Sequence, residues 1–181
     1  MIDGRALAVA VLIAVLAASS PAEAAVRLFS YDPADSNTRR TSGALTFEFS
    51  QGVIRTRVRR VSATLGQASA PVREANDRDL GASLTAIIGD TAGERDLYEV
   101  LPENEGAAMI RAFCPGATRA WLAMGRIRAN MPLRVHVLGA PQGGQARVCV
   151  TLNFEFRGEW RGVRPRDEVP QNALRTPRFP Y

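Results

Sequence analysis

Few side chains in this sequence can do chemistry, and their spacing limits what that chemistry is. There are two cysteines, Cys114 and Cys149, and one histidine, His136. The cysteines form no Cys-x-x-Cys motif, so neither a redox dithiol nor an activated thiol is indicated. One histidine cannot assemble a familiar zinc, copper or iron ligand set. The acidic pairs Asp77/Asp79 and Glu103/Glu105 lack the run of oxygen ligands around a glycine that a calcium loop needs. Neither a nucleophile elbow nor a dinucleotide or P-loop glycine pattern is present. No spacing among the carboxylates singles out a glycosidase pair. No residue is therefore marked as catalytic, and no metal or cofactor is expected.

Arginine is the remaining candidate. The chain has 23 basic residues, all of them arginine, against 18 acidic ones, a formal charge of +5. Arg55, Arg57 and Arg59 alternate with Ile54, Thr56 and Val58. On a strand this places three guanidinium groups on one face about 6.6 Å apart, with Arg60 next in sequence. Such a ladder can hold phosphate or carboxylate groups bidentately, which makes these four residues the candidate anion-binding set. The competing explanation is a solvated strand face whose charge is partly absorbed by Glu48 on the neighbouring strand.

The partners open to a basic chain depend on compartment. Met1–Arg5 is short and weakly basic, and residues 6–18 are uniformly apolar. That run is shorter than the ~20 residues needed to span a bilayer. Ser19, Ser20 and Pro21 follow, and then Ala22, Glu23 and Ala24 precede Ala25 in a small-residue context. The pattern predicts a cleavable secretory signal over 1–24, cut between Ala24 and Ala25, with no transmembrane anchor left afterwards. Cleavage removes Asp3, Arg5 and Glu23 and raises the charge from +5 to +6. Export to the periplasm or the medium of a Gram-negative-type envelope argues against a nucleic-acid partner. It also makes one Cys114–Cys149 disulfide the expected state of the two cysteines.

The elements that must position these residues read as mainly β. Leu45–Phe49 alternates, with Leu45, Phe47 and Phe49 inward. Residues 148–157 alternate over ten positions, putting Val148, Val150, Leu152, Phe154 and Phe156 on one face and Cys149, Thr151, Asn153, Glu155 and Arg157 on the other. Residues 120–124 are apolar on both faces, as a central strand requires. Ser83–Ile88 reads as a short buried strand, and Leu97–Leu101 as a strand or a helix. Asn104 is the expected N-cap of a helix reaching Phe113 and stopped by Pro115-Gly116. The disulfide would staple that helix to the non-apolar face of the last strand. The fold class expected is an antiparallel sheet or sandwich with one short helix packed on it, α+β being the close alternative. One domain is expected over 25–158, followed by an extended Pro/Arg-rich tail over 159–181 in which Trp160 and Phe179 are anchor candidates.

The reading that follows is an exported, non-enzymatic binding or interaction module whose basic surface meets an anionic envelope polymer or a protein partner. Two alternatives stand beside it. One is a small secreted hydrolase using carboxylates or His136, which demands a pocket with convergent ionisable groups. The other is a structural subunit of an envelope assembly, docked through its tail. Neither ligand nor oligomeric state follows from the sequence.

Overall fold

The computed structural model describes residues 25–51, 56–89 and 93–163. The signal segment 1–24 with Ala24, Arg55, and tail residues 164–181 with Phe179 lie outside them. Among the described residues, eight strands follow one another: β1 (Ala25–Pro33), β2 (Leu45–Gln51), β3 (Thr56–Ala63), β4 (Ala68–Glu74), β5 (Asp96–Val100), β6 (Arg119–Met124), β7 (Leu133–Ala140) and β8 (Arg147–Val163). Each strand pairs antiparallel with the one before it, and the sheet closes into a barrel. The sandwich expectation is thus overturned. Period-two alternation is identical in a sandwich and a barrel, so the pattern could not separate them. The order of pairing does, because strictly sequential neighbours that return to the first strand leave no second sheet.

The closing seam between β1 and β8 is built by named groups. The Ala34 N–H donates to the Asn153 carbonyl at 2.9 Å. Arg27 donates to both Glu159 oxygens, at 2.5 and 2.9 Å. A six-residue helix, α1 (Ser36–Thr41), follows β1. Asp35 caps it by accepting from the Thr38 N–H at 2.7 Å. The Asp35 carboxylate and the Thr38 hydroxyl also bond the Asn153 side-chain amide and backbone N–H.

An eight-stranded barrel is just wide enough for side chains to fill it. Tyr31, Leu45, Phe47, Val61, Ala70, Leu122, Val135, Leu152 and Phe154 are each fully buried within one apolar cluster. The outward positions carry Ser30, Thr46, Glu48, Arg60, Ser62 and Ser69, hydrogen-bonded or ion-paired across strands. This alternation is the reverse of a membrane-spanning barrel, whose apolar residues face out. No helix among the described residues is long and apolar enough to cross a membrane.

One sector of the outer face is apolar. Leu97, Trp121, Ala123, Leu138 and Ala140 form a second buried cluster with Leu80 and Leu84. The last two belong to the short helices α2 (Asp77–Leu80) and α3 (Leu84–Ile88). Residues 83–88 are therefore helical, against the strand expected. Ser83 accepts from the Ala86 N–H at 3.2 Å, and Leu84, Ile87 and Ile88 fall at helical spacing toward the sheet. β6 is buried on both faces, as its composition required, and residues 96–100 resolve as strand.

Helix α4 (Gly106–Phe113) closes one end of the barrel. Met109, Ile110 and Phe113 enter the interior cluster. Its N-cap is Glu105, not Asn104, which sits at φ +56°. A Cβ on Gly106 would collide with the Leu101 carbonyl, so only glycine lets the helix start this close to the end of β5. The Cys114–Cys149 disulfide forms at the same end, with 5.3 Å between the Cα atoms.

The face of that disulfide differs from the one expected. Val137 pairs with Val150 and Leu138 with Val148, so Cys149 is the extra residue of a β-bulge. Gly139 lies opposite interior Ala120, and a Cβ there would overlap both cysteine sulfurs. The bridge thus occupies interior space that Gly139 leaves open, while Val148 turns outward and is half exposed. α4 packs inside the barrel mouth and does not cover the outer face. The bridge spans 35 residues, for which chain entropy gives about 4 kcal/mol. Cys114→Ala/Cys149→Ala should lower the unfolding free energy by about that amount in urea titrations, as should reduction of the wild-type protein. An unchanged midpoint would show that the bridge does not hold α4 in place.

Candidate functional site

Of the sequence-predicted arginines, Arg57, Arg59 and Arg60 do not form a continuous ladder. A bulge at the β2–β3 pairing sets Glu48 opposite Arg60 and Phe49 opposite Val58, leaving Arg59 as the extra residue. Arg57 and Arg60 face outward toward acids, Glu74 at 3.5 Å and Glu48 at 3.9 Å. Arg59 donates to the Ser50 hydroxyl at 3.0 Å. Arg55 lies outside the described residues. The charges of Arg57 and Arg60 are thus met by neighbouring acids.

The barrel end opposite α4 is different. The β6–β7 connection folds back over it. Ile127 packs on the interior cluster, and the buried Tyr31 hydroxyl donates to the Arg128 carbonyl at 3.0 Å. Burial pushes the Tyr31 phenol up to about 12, so it remains a neutral donor throughout the physiological range. With Ile127 turned in, Arg126 and Arg128 on either side of it are exposed. Together with Arg134 they line a groove of about 600 Å³. Its other walls are Gly93 and Glu94 before β5, Pro132 and Met131, and Asn153 to Glu155 of β8. A second groove of about 430 Å³ shares Met131, Pro132 and Glu155 and runs on to Phe156. Neither Arg126 nor Arg128 has an ion-pair partner among the described residues. Arg134 donates to the Asn153 side-chain oxygen at 3.4 Å and has no ion-pair partner among the described residues.

Behind the groove wall lies the single histidine. His136 projects from the outer face of β7, between Ala123 and Thr151 on its neighbours. Its Nδ1 lies 3.0 Å from the Thr151 hydroxyl, and its Nε2 lies 3.7 Å from Glu94 Oε1. Both side chains are about nine-tenths buried, and Glu94 Oε2 and His136 Nε2 have no hydrogen-bond partner. Glu94 was not singled out by the sequence, since nothing local marks an acid 42 positions away as the neighbour of His136.

A separate outer cluster is structural. Glu99, buried on the β5 surface, accepts from Arg73 at 2.8 Å and Arg119 at 2.9 Å. Arg119 also lies 4.7 Å over the Trp121 ring. A buried carboxylate held by two guanidinium groups is satisfied and offers nothing to a ligand.

Among the described residues no group of three metal-ligating side chains converges. The site is thus a basic, partly apolar groove at one barrel mouth, backed by a histidine–carboxylate pair. No family model, curated protein or solved structure matches this chain.

The electrostatics of His136 make a measurable prediction. Burial lowers its pKa below 6.5, Arg134 lowers it further, and Glu94 opposes both. The unfolded chain takes up the proton near pH 6.5 while the folded one resists, so stability is full above that pH and declines as pH falls toward the folded pKa. Each tenfold loss of proton affinity is worth about 1.4 kcal/mol. The urea midpoint of wild type should fall between about pH 7.5 and 5.5, and His136→Gln, which can keep a Thr151 hydrogen bond, should fall less. Equal slopes would show that His136 does not resist protonation in the fold.

Proposed function

We propose that the protein is an exported, non-enzymatic binding module that uses its basic groove to hold an anionic group of an envelope polymer or protein partner. The observation that carries this reading is the pair Arg126 and Arg128. They are exposed beside an anchored Ile127 and share a groove with Arg134, and they have no ion-pair partner among the described residues. Guanidinium groups with free donors suit phosphate and carboxylate, and a groove of this size fits a ligand segment. Export rests on the apolar run at 6–18 and the small residues before Ala25. The basic balance of the chain favours association with anionic surfaces.

The test uses protein beginning at Ala25 on immobilised lipopolysaccharide and on peptidoglycan. Salt-sensitive retention is expected. Arg126→Ala/Arg128→Ala/Arg134→Ala should elute at markedly lower salt, whereas Arg57→Ala/Arg60→Ala should elute near wild type. Retention lost equally in both variants would assign the effect to net charge and remove the groove from it.

A second reading, a small hydrolase, has one observation in its favour. Thr151, His136 and Glu94 line up as hydroxyl, imidazole and carboxylate, the order in which a nucleophile, a base and an orienting acid are arranged. It predicts turnover of activated ester or amide substrates that His136→Gln reduces by at least ~10²-fold. The absence of turnover, or turnover that survives this substitution, counts against it.

A further inference from the structure

β8 is 17 residues long, whereas β7, its neighbour, has eight and ends its pairing at Leu133 opposite Phe154. Beyond Phe154, β1 is the one strand beside β8 among the described residues, and on the other side Asn130, Met131 and Pro132 of the β6–β7 connection face Glu155 and Phe156 across the second groove. The orientation of its backbone follows from Asn153, whose carbonyl accepts from Ala34 and whose N–H reaches Thr38, both on the β1 side. Successive residues alternate, so Phe156, Gly158 and Trp160 turn their N–H and C=O groups the other way. No strand among the described residues pairs with that edge. An unpaired strand edge is a template for another strand.

We infer that a second copy of this chain occupies the edge, by antiparallel pairing of β8 with β8 about a two-fold axis at Gly158. The free segment from Glu155 to Arg161 is centred on that residue, and the side chains match themselves in this register. Glu155 falls opposite Arg161 of the second copy, and Arg157, 3.5 Å from Asp32 in its own chain, falls opposite Glu159, which Arg27 holds. On the other face Phe156 meets Trp160, whose indole is nearly half exposed in the single chain. Gly158 meets Gly158. Centring the axis one residue either way sets arginine against arginine and glutamate against glutamate, which like-charge repulsion disfavours. A surface complementary to itself about a two-fold axis is the requirement for an isologous dimer. The pairing also brings Arg161 of the second copy beside Glu155, on the wall of the basic groove. The inference is independent of what that groove binds.

Two exposed positions test the register. Arg161→Glu sets glutamate opposite glutamate twice, and Glu155→Arg sets arginine opposite arginine twice. Wild-type protein from Ala25 onward should sediment as a dimer. Each single variant should weaken the dimer by roughly tenfold or more, while circular dichroism confirms the fold. Mixing the two single variants should restore a dimer, because each then supplies the charge the other lacks, and the double variant should dimerise alone. A wild-type monomer at all accessible concentrations would overturn the inference, as would a dimer that ignores the substitutions or single variants that fail to complement. A monomer still retained on anionic polymer would leave the groove reading standing while this one falls.

Discussion

Closure of the sheet between β1 and β8 is the constraint on which the rest of this structure depends. Eight strands in sequence order form a barrel only if the last meets the first, and the seam here is polar as well as apolar. Arg27 holds Glu159 with two hydrogen bonds, and the paired guanidinium keeps that carboxyl below its ordinary range. Asp35 is likewise held low, first by the Thr38 backbone N–H and then by the Asn153 side chain. Inside the same seam the Tyr31 ring meets those of Phe47 and Phe156 edge-on. The interior contacts supply most of the driving force, because apolar burial scales with area and exposed ion pairs are worth little. The polar contacts do something else: they fix which residue of β8 lies beside which residue of β1.

That fixed stagger explains how the two barrel ends came to differ. At one end α4 enters the mouth and the disulfide ties it to a bulge in β8. At the other the β6–β7 connection covers the interior, with Ile127 packed on its cluster. A chain that must turn Ile127 toward the core and satisfy Tyr31 while staying on the surface turns its alternate side chains outward. Arginine at 126 and 128 is then presented to solvent by the packing of the residue between them. The groove is thus a by-product of sealing a core, with its cations held by the contact that seals it.

Much of the strand content was legible because alternation is a local property. Leu45, Phe47 and Phe49 point inward as read, and residues 120–124 are buried on both faces. The errors of face cluster at the two bulges. Arg59 and Cys149 are each the extra residue of a pair of strands, and each breaks the alternation the sequence had led one to extend. No single strand shows a bulge, since it is defined by the partner's register. Residues 83–88 are helical where a strand is expected because six residues with four apolar side chains fit either period, and the Ser83 cap decides between them. The barrel itself was out of reach for the same reason as the bulges: which strand pairs with which is written in no one segment. The site suffered likewise. His136 was visible, but Glu94 comes to it only through the outer packing of the sheet, and Arg126 and Arg128 gain meaning only once Ile127 is seen to pack on the interior cluster.

The length of β8 belongs to this same geometry. Strands in a closed barrel are tilted and staggered, so each strand runs past one neighbour in order to reach the other. For β8 the overrun is large, because β1 continues well beyond the level at which β7 begins. Natural sheets protect such an edge with charge, proline, bulges or a covering segment. This edge carries glycine and charge, yet the charges alternate in sign around Gly158 instead of sharing one sign. A run of arginines would repel every basic copy of the chain. A sequence that reads acid, base, acid, base from Glu155 through Arg157 and Glu159 to Arg161 sets each acid opposite a base when laid antiparallel on itself about Gly158. Protection against indiscriminate pairing and selection of one partner are then met by the same residues.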